Sequence, residues 1–167
     1  MTKLDHALSL ARMGFHVFPL GERSKLPDID RYPTRATRDP QQIKRWWTCP
    51  VLGFLQARNI GISTTRFDND KALLVIDVDV RDGKPGEESL LMLELEHGPL
   101  PPTLEAITPT GGRHLFYVVE NAVKQGANVL GPGLDIRSHG GYVVGVGSET
   151  ENGVYQWANQ TPVRLRA

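Results

Sequence analysis

The chain has 167 residues, of which 40% are hydrophobic and 23% are charged, as in an ordinary globular protein. Its length fits one domain with a sizeable core, and no apolar run approaches the ~20 residues that a membrane span requires. The first residues lack the pattern of a signal peptide, and a single cysteine, Cys49, excludes an internal disulfide. These features predict a cytoplasmic protein that does not associate with membranes.

The formal net charge is zero, but the charges are unevenly distributed along the chain. Residues 21–58 contain eight basic and four acidic side chains, whereas residues 68–105 contain ten acidic and three basic ones. A basic N-terminal third favours contact with a phosphate backbone, and an acidic middle favours cations. The alternative is chance clustering of charges on solvated faces.

Caps, glycines and prolines divide the first part of the chain into short elements. Thr2 and Gly14 are typical of the two ends of a helix, and Asp39 followed by Pro40 is typical of a helix start. The predicted elements in chain order are a helix over residues 2–12, a strand over 15–20, an extended loop over 21–39, a helix over 40–47, a strand over 59–62 and a polar turn over 64–71.

From residue 72 onward the pattern is a strand, a helix and then a series of short strands. These are predicted at residues 72–79, 87–97, 104–108, 114–119, 134–137, 141–147 and 154–157. This order predicts an α+β fold with a mixed or antiparallel sheet rather than a doubly wound parallel one. An N-terminal α/β unit, about residues 1–62, is expected to pack against a core of about residues 72–160.

Asp77 and Asp79 end the apolar run Leu73–Ile76 and are one residue apart. On a strand they point to the same face, while Val78 between them points to the other. Two adjacent carboxylates repel each other, and a divalent cation relieves that repulsion; hard oxygen ligands suit Mg²⁺ or Mn²⁺. The pair is therefore interpreted as half of a metal site for phosphoryl transfer. The alternative is a strand that ends in solvent.

The segment Gly111-Gly112-Arg113-His114 leads into another apolar strand. Glycines allow a phosphate to approach the backbone amides closely, and His114 and Arg113 offer donors beside it. The alternative is an ordinary hairpin turn in which the glycines supply positive φ and the histidine is structural.

Asp135 lies between apolar residues and shares a strand face with Arg137. An acid in this position is a candidate third metal ligand, and Arg137 is a candidate phosphate contact. The alternative is a local Asp135–Arg137 ion pair on an exposed strand.

Taken together, these motifs resemble the bifunctional DNA primase/polymerase domain of the archaeo-eukaryotic primase superfamily, which is typical of phage and plasmid replication proteins. The motifs that carry the resemblance are Leu74-Val75-Ile76-Asp77-Val78-Asp79, Thr108-Pro109-Thr110-Gly111-Gly112-Arg113-His114, and Gly131-Pro132-Gly133-Leu134-Asp135-Ile136-Arg137. The resemblance covers nearly the whole chain. It implies a catalytic core like an RNA-recognition fold beside the N-terminal α/β unit.

The resemblance also implies roles for single residues. Asp77, Asp79 and Asp135 match the acidic triad that binds two Mg²⁺ or Mn²⁺ ions. His114, in the motif that begins with Gly112, matches the residue that contacts the phosphates of the incoming nucleotide. The other predicted nucleotide-binding positions are Gly112, Arg113, Arg137 and Lys25.

The implied function is template-directed nucleotidyl transfer from nucleoside triphosphates to a 3′-hydroxyl, assisted by two metal ions. The implied partners are a single-stranded DNA template, nucleoside triphosphates and a helicase domain or protein, in a bacterial, archaeal or phage-infected cell. Two alternatives remain at this point: a metal-dependent nuclease, and a non-catalytic template-binding module of a replication protein.

Overall fold

The computed structural model describes residues 1–68, 71–159 and 164–166 of the chain. No helix in these ranges is long and apolar enough to cross a membrane. The helices are α1 (Lys3–Arg12), α2 (Tyr32–Arg35), α3 (Pro40–Trp46) and α4 (Gly86–His97). The strands are β1 (Phe15–Glu22), β2 (Arg58–Phe67), β3 (Ala72–Val78), β4 (Leu104–Ile107), β5 (Arg113–Val119), β6 (Gly126–Gly131), β7 (Leu134–Arg137), β8 (Tyr142–Val144), β9 (Glu149–Thr150), β10 (Gly153–Val154), β11 (Gln156–Trp157) and β12 (Arg164–Arg166).

The described strands form one large sheet and two smaller ones. The large sheet has the order β11-β4-β5-β3-β7-β6, with β12 parallel to β5 and the other neighbours antiparallel. A second sheet has the antiparallel order β1-β2-β8, and β9 pairs with β10. The predicted α+β fold with a mixed or antiparallel sheet is confirmed.

Local sequence accounts for the start of the N-terminal unit. The Thr2 hydroxyl accepts a hydrogen bond from the Asp5 backbone N–H, and the Asp5 carboxylate accepts one from the Thr2 backbone N–H. This capping box satisfies donors that a helix start leaves open. Gly14, with φ +109°, then turns the chain into β1, against which α1 buries Ala7 and Leu10.

Both faces of β3 are covered, which places the large sheet at the centre of the molecule. Leu73 and Val75 belong to the core shared with the N-terminal unit, whereas Ile76 and Val78 pack with Leu90 of α4. Because side chains alternate along a strand, Asp77 follows Leu73 and Val75 on the face toward the N-terminal unit. That face carries the candidate site.

Several features differ from the elements predicted above. The turn expected over residues 64–71 is wrong in its first half, because β2 continues to Phe67. Helix α2 lies inside the expected loop, and the strands β6, β9 and β12 were not predicted. The expected strand over residues 141–147 is limited to β8, and the one over 154–157 is divided between β10 and β11. The hydroxyl of Thr64 donates to the Ser138 carbonyl, so this polar residue is satisfied inside the sheet rather than in a turn.

Candidate active site

The antiparallel register aligns three of the predicted site residues across three neighbouring strands. Asp77 on β3 lies opposite His114 on β5 and, on its other side, opposite Asp135 on β7. Directly opposed residues point to the same face, with Cα atoms about 4.5–5.5 Å apart. Motifs that are distant in the chain therefore meet at one level of one sheet face.

His114 is buried, with 5% of its surface exposed, and its Nε2 lies 3.6 Å from Oδ1 of Asp77. Burial lowers the pKa of His114, against the opposing effect of the Asp77 charge, so the imidazole is neutral at pH 7. Its buried Nδ1 has no hydrogen-bond partner among the described residues. Such atoms are uncommon in folded proteins, and they often lie where a ligand or a reacting group supplies the missing partner.

Asp79 follows β3 and is held by residues just downstream. Its Oδ1 accepts a hydrogen bond from the Arg81 backbone N–H at 2.9 Å, and its Oδ2 accepts one from the Lys84 ammonium at 3.0 Å. The Arg81 guanidinium lies 3.5 Å from the same Oδ2. Burial alone would raise the pKa of Asp79, but these hydrogen bonds and charges lower it, so the carboxylate is ionised at neutral pH.

Asp135 is fixed by β6 and by its own strand. Its Oδ1 accepts a hydrogen bond from the Asn128 backbone N–H at 2.8 Å, and its Oδ2 accepts one from Arg137 at 3.2 Å. The local Asp135–Arg137 pair, which the sequence offers as an alternative to a metal ligand, is therefore present. It does not lie on an open surface, since only 17% of the Asp135 side chain is exposed.

Among residues 1–68 and 71–159, no three His, Cys, Asp or Glu side chains form a group that could hold a metal ion. The carboxylates of Asp79 and Asp135 are instead turned toward protein donors. In donor type the three aspartates fit a divalent cation, because carboxylate oxygens suit Mg²⁺ and Mn²⁺. Backbone placement agrees for Asp77 and Asp135, which are direct neighbours across β3 and β7.

Two adjoining chambers open beside this row of residues. The large chamber has a volume of about 310 Å³ and the small chamber about 70 Å³. The first volume lies at the lower end of the range for small-molecule sites, about 300–1,000 Å³. Residues that line both chambers are Lys25, Asp77, Arg81, His114 and Tyr155. The large chamber is also lined by Tyr32, Gln125, Arg137, Gly141 and Tyr142, and the small one by Asp79, Thr108, Thr110, Thr150 and Asn152.

The chambers combine carboxylates with cations. Lys25 makes no ion pair with any other described residue, and its backbone carbonyl accepts a hydrogen bond from the Tyr142 hydroxyl at 2.8 Å. Arg137 lines the large chamber from β7, and Arg81 lines both chambers. Positive groups held beside carboxylates suit a ligand that carries phosphates and metal ions together.

The structure separates Arg113 from these residues. On β5 it precedes His114, so its side chain projects from the opposite face of the sheet, toward α4. Its guanidinium donates to both carboxylate oxygens of Glu87 at 2.8 Å each and to Glu105 at 3.2 Å. These hydrogen bonds raise the pKa of Arg113. Arg113 therefore joins α4 to the sheet, on the side away from both chambers.

Gly112 is explained by close backbone packing. A Cβ at this position would lie 2.4 Å from the Val78 carbonyl oxygen on β3, a distance that real side chains do not adopt. The neighbouring Gly111 has φ +89°, and its N–H donates to the Thr108 carbonyl at 3.0 Å, as expected for a tight hairpin turn. Gly112 lines neither chamber; it allows β5 and the end of β3 to approach each other.

Sequence reasoning missed several residues of the chambers. Tyr155 and Arg81 line both, while Tyr142 and Gln125 line the large one. None of them belongs to a motif with regular spacing. Tyr142 and Tyr155 lie in segments predicted as strands, but no pattern marked their side chains as site residues, and Arg81 and Gln125 lie in segments without periodicity.

The fold and the site define an α+β domain with an acidic centre beside a cation-lined chamber. Comparison with protein families matches residues 7–166 to the family described as bifunctional DNA primase/polymerase, N-terminal. The chain belongs to this family. No curated protein matches the chain.

Proposed function

We propose that the chain is a catalytic domain that transfers nucleotides from nucleoside triphosphates to a 3′-hydroxyl, directed by a single-stranded DNA template. One observation carries the proposal: Asp77 stands between His114 and Asp135 in the sheet, beside a chamber that Lys25 and Arg137 line. Nucleotidyl transfer needs acidic metal ligands and positive groups for phosphates in one place. Membership of the primase/polymerase family supports the same reaction.

In the proposed reaction, the 3′-hydroxyl oxygen attacks the α-phosphorus of the bound triphosphate. A new P–O bond forms, the bond to pyrophosphate breaks, and the hydroxyl proton passes to solvent. Asp77, Asp79 and Asp135 would hold two divalent ions, which lower the pKa of the 3′-hydroxyl and neutralise charge on the phosphates when bound. Lys25 and Arg137 bind triphosphate oxygens, and His114 donates an imidazole N–H to them.

Side-chain rotation accounts for how the aspartates would become ligands. Asp77 and Asp135 are already opposite each other in the register, and Asp79 is two residues further along the same chain. Turning Asp79 away from Lys84 and Arg81, and Asp135 away from Arg137, breaks three partly exposed ion pairs. Such pairs are worth about 0–1 kcal/mol each, so a bound divalent ion needs to supply only a few kcal/mol to turn these carboxylates.

A primer-extension assay tests the proposal. The protein is given a primed single-stranded template, Mg²⁺ or Mn²⁺, and either deoxy- or ribonucleoside triphosphates. We expect extension that falls at least about 100-fold in Asp77→Asn, with the melting temperature preserved. The control is Glu96→Gln, an exposed acid on α4, which should retain full activity.

The two alternatives predict different products in the same assay. A nuclease would cut the template without incorporating nucleotides, and a binding module would retain the template without changing it. Either result, in place of extension, contradicts the proposal. We further propose that the domain works in phage or plasmid replication, where a helicase domain or protein exposes the single strand.

A further inference from the structure

Helix α4 carries large apolar side chains that no described residue covers. Leu91, Met92 and Leu95 are 56%, 66% and 72% exposed. On its inner face the helix buries Leu90 against the large sheet, on the side opposite both chambers. A surface helix normally turns polar residues toward water, so three exposed apolar side chains within five positions are unusual. Clustered apolar exposure of this kind marks a surface that another molecule covers.

A groove of about 550 Å³ runs beside these side chains, between α4 and the end of β6 with the turn that follows it. We call it the α4 groove. The Ser89 hydroxyl donates to the Pro132 carbonyl at 2.6 Å, which fixes the turn to the helix. The groove is therefore formed before any partner arrives, and docking does not require its walls to rearrange. Its apolar lining consists of Met92, Leu93, Leu95, Leu130 and Pro132.

The α4 groove has negative charge at both ends. The charged residues among its described lining are Glu88 and Glu96. Glu88 makes no ion pair with any described residue, and within the same ranges Glu96 pairs only with its exposed neighbour His97, at 3.7 Å. Glu88, Met92, Leu95 and Glu96 follow the spacing i, i+4, i+7, i+8, which places them on one face of the helix. The two acids are about 12 Å apart along the helix axis, with the apolar side chains between them.

This charge pattern decides which occupant fits. Nucleic acid and anionic lipid surfaces have the same sign of charge as Glu88 and Glu96, and both are repelled. A second copy that met this face through its own α4 would bring four carboxylates together across a two-fold axis. A protein segment with positive charges on either side of an apolar stripe has neither disadvantage. A helix suits a groove that runs alongside another helix, because side chains of the two interlock along their length.

We propose that the α4 groove is a docking site for an amphipathic helix of a partner protein, with an apolar stripe of about two turns and a Lys or Arg near each end. The stripe packs on Met92, Leu95 and Leu130, and the two cations pair with Glu88 and Glu96. The groove and the chambers lie on opposite faces of the large sheet, so a docked helix leaves the candidate active site open. This interaction is separate from nucleotidyl transfer and does not depend on it.

Peptide binding tests the proposal. The probe is a fluorescein-labelled helical peptide with leucines at the spacing i, i+3, i+4, i+7 and a lysine at each end of that stripe. A matched peptide has glutamates in place of the lysines. With the wild-type protein, fluorescence anisotropy should give a Kd of about 10–100 μM for the lysine peptide and one at least about tenfold weaker for the glutamate peptide.

Variants of exposed residues locate the binding, with the melting temperature as the check on folding. Leu95→Ser should weaken the lysine peptide at least about fivefold. The matched control is Leu52→Ser, at a leucine of similar exposure, 75%, on the loop before β2, and it should bind as the wild type does. Reversing both charges, Glu88→Lys with Glu96→Lys, should make the protein prefer the glutamate peptide. Glu151→Lys, an exposed acid between β9 and β10, should keep the original preference.

Equal binding of the two peptides would overturn the proposal, as would a Kd above about 1 mM for both. An affinity unchanged by Leu95→Ser or by the charge reversal would overturn it as well. Two further assays identify other occupants: sedimentation detects a second copy, and a labelled oligonucleotide or phosphatidylserine vesicles detect nucleic acid or membrane. Binding in any of these that Leu95→Ser abolishes would give the groove to that occupant instead. Peptide binding without primer extension would contradict the proposed function and leave this docking site in place.

Discussion

Arg113 tests whether one face of the large sheet stabilises the fold while the other face carries the candidate site. The sequence places it beside His114 in a nucleotide-binding motif, but the structure pairs it with Glu87 of α4 and Glu105 of β4. Arg113→Met keeps the length of the side chain and removes the charge. We expect this variant to lose stability and to bind nucleotide normally.

The expected loss of stability in Arg113→Met follows from the geometry of these hydrogen bonds and from the exposure of the side chains. Hydrogen bonds to charged groups contribute about 1.5–3 kcal/mol when shielded from water. Here the Arg113, Glu87 and Glu105 side chains are 29%, 44% and 25% exposed, so solvent screening reduces the value. We expect Arg113→Met to lower the free energy of unfolding by about 1–2 kcal/mol. For a domain of this size, that lowers the melting temperature by about 2–8 °C.

Thermal unfolding measures the loss of stability in Arg113→Met. A double-mutant cycle with Glu87→Gln shows how much of that loss comes from the Arg113–Glu87 ion pair. The matched control is Arg23→Met, whose pair with Glu149 is more exposed, with side-chain exposures of 55% and 45%. That variant should lose less than about 0.5 kcal/mol. An unchanged melting temperature in Arg113→Met, with a KM for nucleotide raised tenfold or more, would refute the separation of the two faces.

Three further predictions follow from other residues. His114→Ala should raise the KM for nucleotide more than it weakens template affinity in a filter-binding assay; the reverse ranking would place His114 on the template. Gly112→Ala should destabilise the fold by about 1–3 kcal/mol in urea unfolding, because its Cβ would meet the Val78 carbonyl oxygen; wild-type stability would contradict that contact. Burial, with Arg66 and Arg38, lowers the pKa of His16 from 6.5 to about 4. The unfolded chain therefore binds a proton that the folded protein does not, and stability falls as the pH drops from 6.5 toward 4. Between pH 7 and pH 5 the wild type should lose about 2 kcal/mol more than His16→Gln, and equal losses would exclude this role.

Local patterns in the sequence were sufficient to predict the strand that carries Asp77 and the α+β class of the fold. The alternation around Val78 predicts that Asp77 and Asp79 project from the same face of the strand, and β3 ends at Val78, one residue before its predicted end. The register that sets Asp77 opposite both His114 and Asp135 was not predictable in the same way. It depends on pairing between strands far apart in the chain, for which a single sequence gives no direct signal.

The alternation of side chains along a strand also predicts that Arg113 and His114 point to opposite faces, although both belong to the Gly111-Gly112-Arg113-His114 motif. Consecutive residues on a strand face opposite ways, so the side chains of His114 and Arg113 lie on opposite faces of the large sheet. By contrast, the end of β2 was not predictable from local composition. Thr64 and Thr65 are polar and resemble a turn, but pairing with β8 and the hydrogen bond to Ser138 keep this segment in the sheet.

The strand β8 has a consequence for how the molecule is made. It comes late in the chain but completes the N-terminal sheet, with Gly61 paired to Val144 and Ile62 to Val143. During synthesis the N-terminal sheet therefore stays incomplete, with one edge of β2 unpaired, until β8 has left the ribosome. Contacts of such long sequence separation slow folding, and an open strand edge invites pairing with other chains. Cutting the gene between the two units would therefore yield an N-terminal piece prone to aggregation rather than a separate module.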